Sequence, residues 1–226
     1  MQNTSHAVMA QRTEARDSAD DFPTPPWATR ALIEHVLEGK SQIANLRCLE
    51  PACGAGHMAK VLKTYFGEVI CSDAYDYGYG AICDFLATPY EQGEFDWVIT
   101  NPPFRLAEEF VLRSMRIARS GVAILARTVF LESVGRYEAI YSTCPPTKFA
   151  QFVERVPMVK GRLDIRATTA TGYAWFVWEK GIATMPRLMW IPPCRKSLER
   201  DGDYDSSAQN DSLQSKSNSG SLRLIA

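Results

Sequence analysis

Phe95-Asp96-Trp97-Val98-Ile99-Thr100-Asn101-Pro102-Pro103-Phe104 decides how this chain is read. Phe95 to Thr100 is short, mostly apolar and rich in β-branched and aromatic residues, which predicts a buried strand. The run ends abruptly at two prolines. Neither has a backbone N–H and both have a fixed φ, so the chain cannot continue as a central strand. What remains is a rigid edge carrying the Asn101 carboxamide, the Pro102 carbonyl, Pro103 and the Phe104 ring. Such an edge can accept hydrogen bonds from an amine and stack on a flat ring. A plain strand with a proline turn is the competing reading, and the motifs on either side weigh against it.

Upstream, Leu46 to Glu50 reads as another short strand. It runs into Glu50-Pro51-Ala52-Cys53-Gly54-Ala55-Gly56-His57. Gly54 and Gly56 allow a tight turn and close backbone approach. A helix from about His57 to Tyr65 follows, with its free N–H groups aimed above the turn. Strand, Gly-x-Gly turn and helix at the front of an α/β pattern form a nucleotide-type site. Position 59 is alanine, so there is no Gly-x-Gly-x-x-Gly, and there is no Walker lysine–serine pair. Both facts argue against a dinucleotide enzyme or an NTPase. Glu50 at the strand's end suits an ammonium-bearing ligand better than a pyrophosphate. Glu68 to Asp73 is the next apolar strand, and Asp73 ends it at the right distance to meet ribose hydroxyls. The aromatic insert Ala74 to Gly80 either lines an entrance to the site or is an exposed loop. Ala81 to Leu86 reads as a short strand ending at Asp84-Phe85.

The set resembles the class I S-adenosylmethionine-dependent methyltransferases, and Asn101-Pro102-Pro103-Phe104 resembles the catalytic motif of the N6-adenine DNA methyltransferases. The order of motifs is similar to compact phage or prophage-type members, over roughly residues 21 to 181. The resemblance implies an α/β, three-layer Rossmann-like fold with a mostly parallel sheet and a terminal antiparallel strand. It implies S-adenosylmethionine as cofactor. Thr24-Pro25-Pro26 would then be the amino-terminal motif beside the cofactor methionine, and Glu50, Pro51, Ala52, Cys53, Gly54, Gly56 and His57 the cofactor loop. Asp73 would bind ribose. Asp84 would accept the cofactor adenine amine, with Phe85 beside the ring, and Asn101 would border the cofactor.

The expected chemistry needs positioning more than a strong base. An exocyclic adenine amine is a poor nucleophile because its lone pair is delocalised. Acceptors at Asn101 and Pro102 hold its N–H bonds, Phe104 stacks on the base, and the methyl must lie in line with the nitrogen. No metal is implied, and the histidines are too scattered for a zinc site. The same planar-amide geometry also suits adenine in RNA or a protein glutamine or asparagine amide. A decayed, nucleic-acid-binding module is the third reading, and the intact motif residues argue against it.

A duplex target adenine must leave the stack, and phosphate contacts must hold the backbone. A single strand avoids the opening cost. Candidate contacts are Arg105, Arg127, Arg136, Arg155, Lys160, Arg162 and Arg166, with Lys160-Gly161-Arg162 the best basic turn. Phe130, in the loop after the strand Val122 to Ala126, is a candidate base or backbone contact because the family shapes its target pocket there. For any one of the cations, ordinary charged surface is as good a reading. The chain has no long target-recognition segment. Either Val156 to Thr171 reads a short site, recognition is loose, or a partner supplies it.

The chain has 226 residues, 46% apolar and 23% charged, with net charge −1, so bulk charge does not announce a nucleic-acid partner. Its six cysteines form no Cys-x-x-Cys pair, which favours free thiols in a reducing, cytoplasmic setting. No apolar stretch suggests a membrane span. We expect residues 1–20 to be a flexible segment, 21–195 one methyltransferase domain and 196–226 a disordered tail, in a monomer or weak homodimer. Further expectations are a helix Arg30 to Leu37 opened by Thr29, and a helix Leu106 to Ala118 stopped by Ser120-Gly121. A helix from Ser133 to Tyr141 and strands Phe149 to Val153 and Gly172 to Glu179 follow. The last of these is expected to be the final strand of the sheet, with 182–195 as a tail along the body.

Overall fold

The computed structural model describes residues 20–38, 40–182 and 184–204. Its eight strands form one sheet in the order β3-β2-β1-β4-β5-β7-β6-β8. The strands are β1 (Arg47–Glu50), β2 (Glu68–Asp73), β3 (Ala81–Ile82), β4 (Phe95–Thr100), β5 (Ala118–Arg127), β6 (Lys148–Phe152), β7 (Tyr173–Glu179) and β8 (Arg187–Ile191). The helices are α1 (Pro26–His35), α2 (Lys40–Ile43), α3 (His57–Leu62), α4 (Ala107–Ile117), α5 (Val134–Arg136) and α6 (Arg195–Leu198). A π-helical turn, Tyr137–Tyr141, continues α5. β7 runs antiparallel to both β5 and β6, and all other pairings are parallel.

Alternation along the central strands builds the layers. Trp97 and Ile99 of β4, with Ala123 and Leu125 of β5, face the cluster that contains α1 and α3. Val98, Val122, Ile124 and Ala126 face the cluster that contains α4 and Ile140. Both sheet faces are therefore covered, which is why these strands read as continuous apolar runs. β1 lies between β2 and β4, so the chain leaves β1 in one direction along the sheet and returns on its other side. That switch point opens a crevice above the strands' carboxyl ends.

Several sequence expectations are corrected. Thr29 does not open α1; it is fully buried inside it, and Pro25 takes the N-cap position without a side-chain cap. Prolines preset the first helical turn, so the helix starts earlier than the apolar pattern indicates. Ser120-Gly121 does not stop α4. The helix ends at Ile117 and passes directly into β5, whose Gly121 faces the Trp97 ring, 2.5 Å from where a Cβ would lie. β3 has only two residues and ends before Asp84. β7 is not the last strand: residues 187–191 add β8 at the edge beside β6, in parallel register. The expected disorder from residue 196 does not hold to Tyr204. Residues 195–198 form α6, and Asp203 lies in a buried ion pair with Arg30 at 2.7 Å. The expectations for 1–19 and 205–226 lie outside the described residues.

Tyr173, Trp175 and Trp178 of β7 are buried core packing. Trp175 donates its indole N–H to the Ala28 carbonyl at 3.1 Å, and Trp178 to the Cys144 carbonyl at 2.9 Å. Among the described residues no helix is long and apolar enough to cross a membrane.

Candidate active site

A cavity of about 300 Å³ occupies the crevice. The glycine turn forms its floor. The Cys53 N–H donates to the Ser72 carbonyl at 3.0 Å, and the Gly56 N–H closes the turn onto the Cys53 carbonyl at 2.8 Å. Gly54 and Gly56 have φ of +49° and +80°, a region that other residues enter at a cost. Asp73, at the end of β2, receives the Gly54 N–H at 2.9 Å and the Tyr75 N–H at 3.1 Å. The first of these bonds couples the ends of two parallel strands and fixes the carboxylate over the crevice.

Of the residues expected around the cofactor, Thr24, Glu50, Pro51, Ala52, Cys53, Gly54, His57, Asp73, Asp84, Phe85 and Asn101 line this one cavity. Three do not. Pro25 caps α1 and Pro26 opens it. Gly56 is covered from outside by Tyr79, whose ring lies 2.4 Å from where a Cβ would stand. Asp84 is exposed and accepts the Leu86 N–H at 2.9 Å, and Phe85 is buried against Phe110 at 4.8 Å between ring centroids.

The cavity is acidic. Asp20, Asp21, Glu50, Asp73 and Asp84 all line it. Glu50 is 2% exposed, and its Oε2 has no hydrogen-bond partner. Burial, and after it the charge of Asp73, pushes the Glu50 carboxyl well above the ordinary range. Burial and then Asp73 raise Asp21, against the opposing pull of Lys160. Burial, then Asp21 and Asp73, push the Tyr77 phenol up to about 12. His57 is lowered by burial and then by Lys60. Among the described residues no group of three such side chains is arranged to hold a metal ion.

The Asn101-to-Phe104 edge forms a wall between two hollows. Asn101 and Pro103 face the large cavity. Pro102 and Phe104 face a smaller one of about 40 Å³, which Arg127, Phe130 and Arg136 also line. The Asn101 carboxamide has a fixed sense: its N–H₂ donates to the Phe22 carbonyl at 2.8 Å and approaches the Met158 Sδ at 3.9 Å. Its Oδ1 is buried and has no partner. The Phe104 ring packs on Phe22 at 5.3 Å, and the Arg127 guanidinium lies over it at 4.3 Å.

The expected nucleic-acid contacts divide. Arg105 and Arg166 are exposed. Arg162 is paired with Asp164 at 3.2 Å. Lys160 acts on Asp21. Arg136 donates to the carbonyls of Phe130 and Glu132 at 2.9 and 2.7 Å, which occupies it within its own loop. Phe130 is a core ring, 6% exposed and edge-on to Phe176. Site residues that the sequence reading left out are Asp20, Asp21 and Phe22 on the strap before Thr24, and Phe110 on the buried face of α4; Tyr75 and Tyr77 of the aromatic insert also line the cavity, one of the two places that reading allowed them. Their signal was proximity to the Thr-Pro-Pro motif for the strap and the apolar helix face for Phe110.

This geometry has counterparts among solved structures. A candidate class I S-adenosylmethionine-dependent methyltransferase from Listeria monocytogenes superposes with a TM-score of 0.53 at 12% identity, over 76% of this chain and 66% of that one. A modification subunit of a candidate type I restriction enzyme from Vibrio vulnificus gives 0.54 at 12%, over 92% of this chain and 55% of its own length. A candidate RNA methyltransferase from Pyrococcus horikoshii gives 0.53 at 16%, over 71% and 88%. The fold is that of the class I methyltransferases. The class I arrangement accounts for the reversed β7 between β5 and β6 and for the crevice beside β1. The chain spans less than two thirds of the length of the first two of these structures. No protein-family profile and no curated protein matches the sequence.

Proposed function

We propose that this chain transfers a methyl group from S-adenosylmethionine to the exocyclic N6 amine of adenine in DNA. The observation that carries the reading is the free Asn101 Oδ1, a buried acceptor on a carboxamide whose donor side is already tied to Phe22. An unpaired buried acceptor costs free energy unless something arrives to donate to it. Pro102 and Phe104 follow it in the chain and line the adjoining hollow, offering a carbonyl and an aromatic ring as further partners of a flat amine.

The cavity residues fit the cofactor. It carries a sulfonium and an ammonium, and the cavity offers five carboxylates and the unpartnered Glu50 Oε2. Its volume of about 300 Å³ is at the lower end of about 300–1,000 Å³ for small-molecule sites. When bound, S-adenosylmethionine supplies a methyl on positively charged sulfur, which departs as a neutral thioether. Glu50 binds the ammonium. Asp73 keeps lone pairs for ribose hydroxyls beyond its two backbone donors. Asp84 takes the adenine amine, and Phe85 and Phe110 wall the ring.

On the acceptor side, Asn101 Oδ1 takes one amine N–H and the Pro102 carbonyl the other. Both bonds turn the nitrogen lone pair out of conjugation and toward the methyl. Neither group is basic enough to keep the surplus proton, which passes to solvent. Phe104 stacks on the base, and Arg127, whose guanidinium lies over that ring, is the cation nearest the base. The motif's resemblance and the modification-subunit neighbour favour DNA; the RNA-methyltransferase neighbour makes RNA the control.

The test is to incubate the protein with methyl-labelled S-adenosylmethionine and DNA, RNA and protein acceptors in parallel, then digest and identify the product. Labelled N6-methyladenine from DNA is expected. Label only in RNA, or only on a protein amide, rejects the DNA acceptor.

A further inference from the structure

The segment Asp20–Phe22 does more than line the cofactor cavity. It holds the catalytic edge from outside the sheet at three points. The Asp20 carboxylate accepts the Phe104 N–H at 2.6 Å. The Phe22 carbonyl accepts the Asn101 amide N–H at 2.8 Å. The Phe22 ring packs on Phe104 at 5.3 Å, tilted by 35°. At its middle the strap is tied to the basic turn Lys160-Gly161-Arg162, because the Asp21 carbonyl accepts the Gly161 N–H at 2.9 Å.

These contacts answer a need in the proline edge. Phe104 follows two prolines and opens a single 3-10 turn, Phe104–Leu106, which has no side-chain cap. Its N–H has no strand partner, because β4 ends at Thr100. Asp20, roughly 80 residues away in sequence, supplies the missing acceptor with a charged oxygen, the stronger kind of hydrogen bond. The Phe22 carbonyl does the same for Asn101. By engaging the N–H₂ it leaves Oδ1 as the face presented to an incoming amine.

We infer that Asp20 and Phe22 are positioning residues for the Asn101-to-Phe104 edge, Asp20 through the Phe104 amide and Phe22 through the Asn101 carboxamide. The assignment of their effect on transfer rests on the proposed methyltransferase reading; the contacts themselves do not. The strap also lines the cofactor cavity and touches Gly161 between Lys160 and Arg162, so it joins the cofactor side, the acceptor edge and the basic turn in one segment.

The test compares Asp20→Ala and Asp20→Asn in the full chain. Asparagine keeps an oxygen acceptor for the Phe104 N–H and alanine does not. Hydrogen exchange at the Phe104 amide is measured first, with no substrate present. Asp20→Ala is expected to speed it by about tenfold or more, and Asp20→Asn to leave it near wild type. Transfer is then measured at saturating cofactor on unmethylated DNA. Asp20→Ala is expected to lower kcat on the order of 10²-fold, the usual effect of a small misplacement, with Asp20→Asn restoring most of it. Unchanged Phe104 exchange in Asp20→Ala overturns the inference, and so does equal loss of kcat in both variants. If wild type labels no acceptor, the methyltransferase reading fails, and the exchange measurement alone decides whether Asp20 holds Phe104.

Discussion

At the scale of single residues, the site rests on two buried oxygens that lack partners, Asn101 Oδ1 and Glu50 Oε2. Asn101→Ala removes the acceptor and leaves the carboxylate cavity intact. Transfer is expected to fall by about 10²–10³-fold, while cofactor affinity by calorimetry stays within about twofold. Equal loss of both would place Asn101 in cofactor binding instead. Glu50 makes a pH prediction. Its carboxyl is raised in the folded protein by burial and then by Asp73. A raised carboxyl favours the fold below the unfolded value of about 4.3, and that contribution is lost as pH climbs through the folded value. Stability of the ligand-free protein is therefore expected to decline as pH rises above about 4.3, and Glu50→Gln to flatten the decline. A bound ammonium lowers the same carboxyl, so cofactor binding releases a proton and tightens with rising pH. Calorimetry in buffers of different ionisation heat measures that release. A release unchanged in Glu50→Gln would assign the proton elsewhere, Asp21 being the next raised carboxyl. Both oxygens were legible as residue types in the sequence. That they lack partners was not, because orphaning depends on what the rest of the chain fails to bring near.

At the scale of elements, the β1–α3 turn shows how a motif was read correctly for an incomplete reason. Gly54 and Gly56 do adopt positive φ, as a Gly-x-Gly turn requires. Gly56, however, also makes room for Tyr79, and Lys63 steadies that tyrosine through a 3.0 Å hydrogen bond. Gly56→Ala is expected to destabilise the protein by about 1–2 kcal/mol from the backbone, plus the displacement of the ring. In Tyr79→Ala the steric part is already absent. The double variant should therefore lose less stability than the two single losses combined, as read by denaturant titration. Strict additivity would show that Tyr79 does not press on the turn. The insert carrying Tyr79 gave no periodic signal, because loop residues pack according to where their anchors sit. The junction of α4 and β5 has the same lesson. Ser120-Gly121 resembles a helix stop by local chemistry, yet Gly121 is a strand residue beneath Trp97, a neighbour from another strand.

At the scale of the whole molecule, the carboxyl-terminal part fastens the element that precedes the site. Arg30 of α1 forms a two-pronged pair with Asp203 at 2.7 Å for each bond and also donates to the Leu198 carbonyl. Both side chains are under 10% exposed, at 8% and 6%. Removing one partner leaves a buried charge alone, so Asp203→Ala is expected to cost about 3–5 kcal/mol. Replacing both residues by apolar ones of similar size should recover much of it. Thermal unfolding of the single and double variants checks this, and a loss below about 1 kcal/mol for Asp203→Ala would mean the pair is solvated. α1 begins one residue after Pro25, so loosening it is also expected to weaken cofactor binding. The sequence marked this region as the start of a disordered tail because its composition is polar, and composition carries no information about a partner lying some 170 residues earlier.

What the sequence by itself determined was local. Apolar runs of strand length, two glycines after Glu50 and two prolines after Thr100 state where strands end, and the ends of strands are where the crevice forms. Asp73, Asp84 and Asn101 could be placed at it because each ends its strand or follows it within a few residues. Tertiary structure decided what sequence distance conceals. It divided the Asn-Pro-Pro-Phe edge between two hollows, laid Asp20 and Phe22 across it, occupied Arg136 with its own loop and buried Phe130 in the core. The physical reason is the same in each case. Backbone and turn chemistry act over a few residues, whereas hydrogen-bond satisfaction and burial are settled by neighbours that only folding brings together.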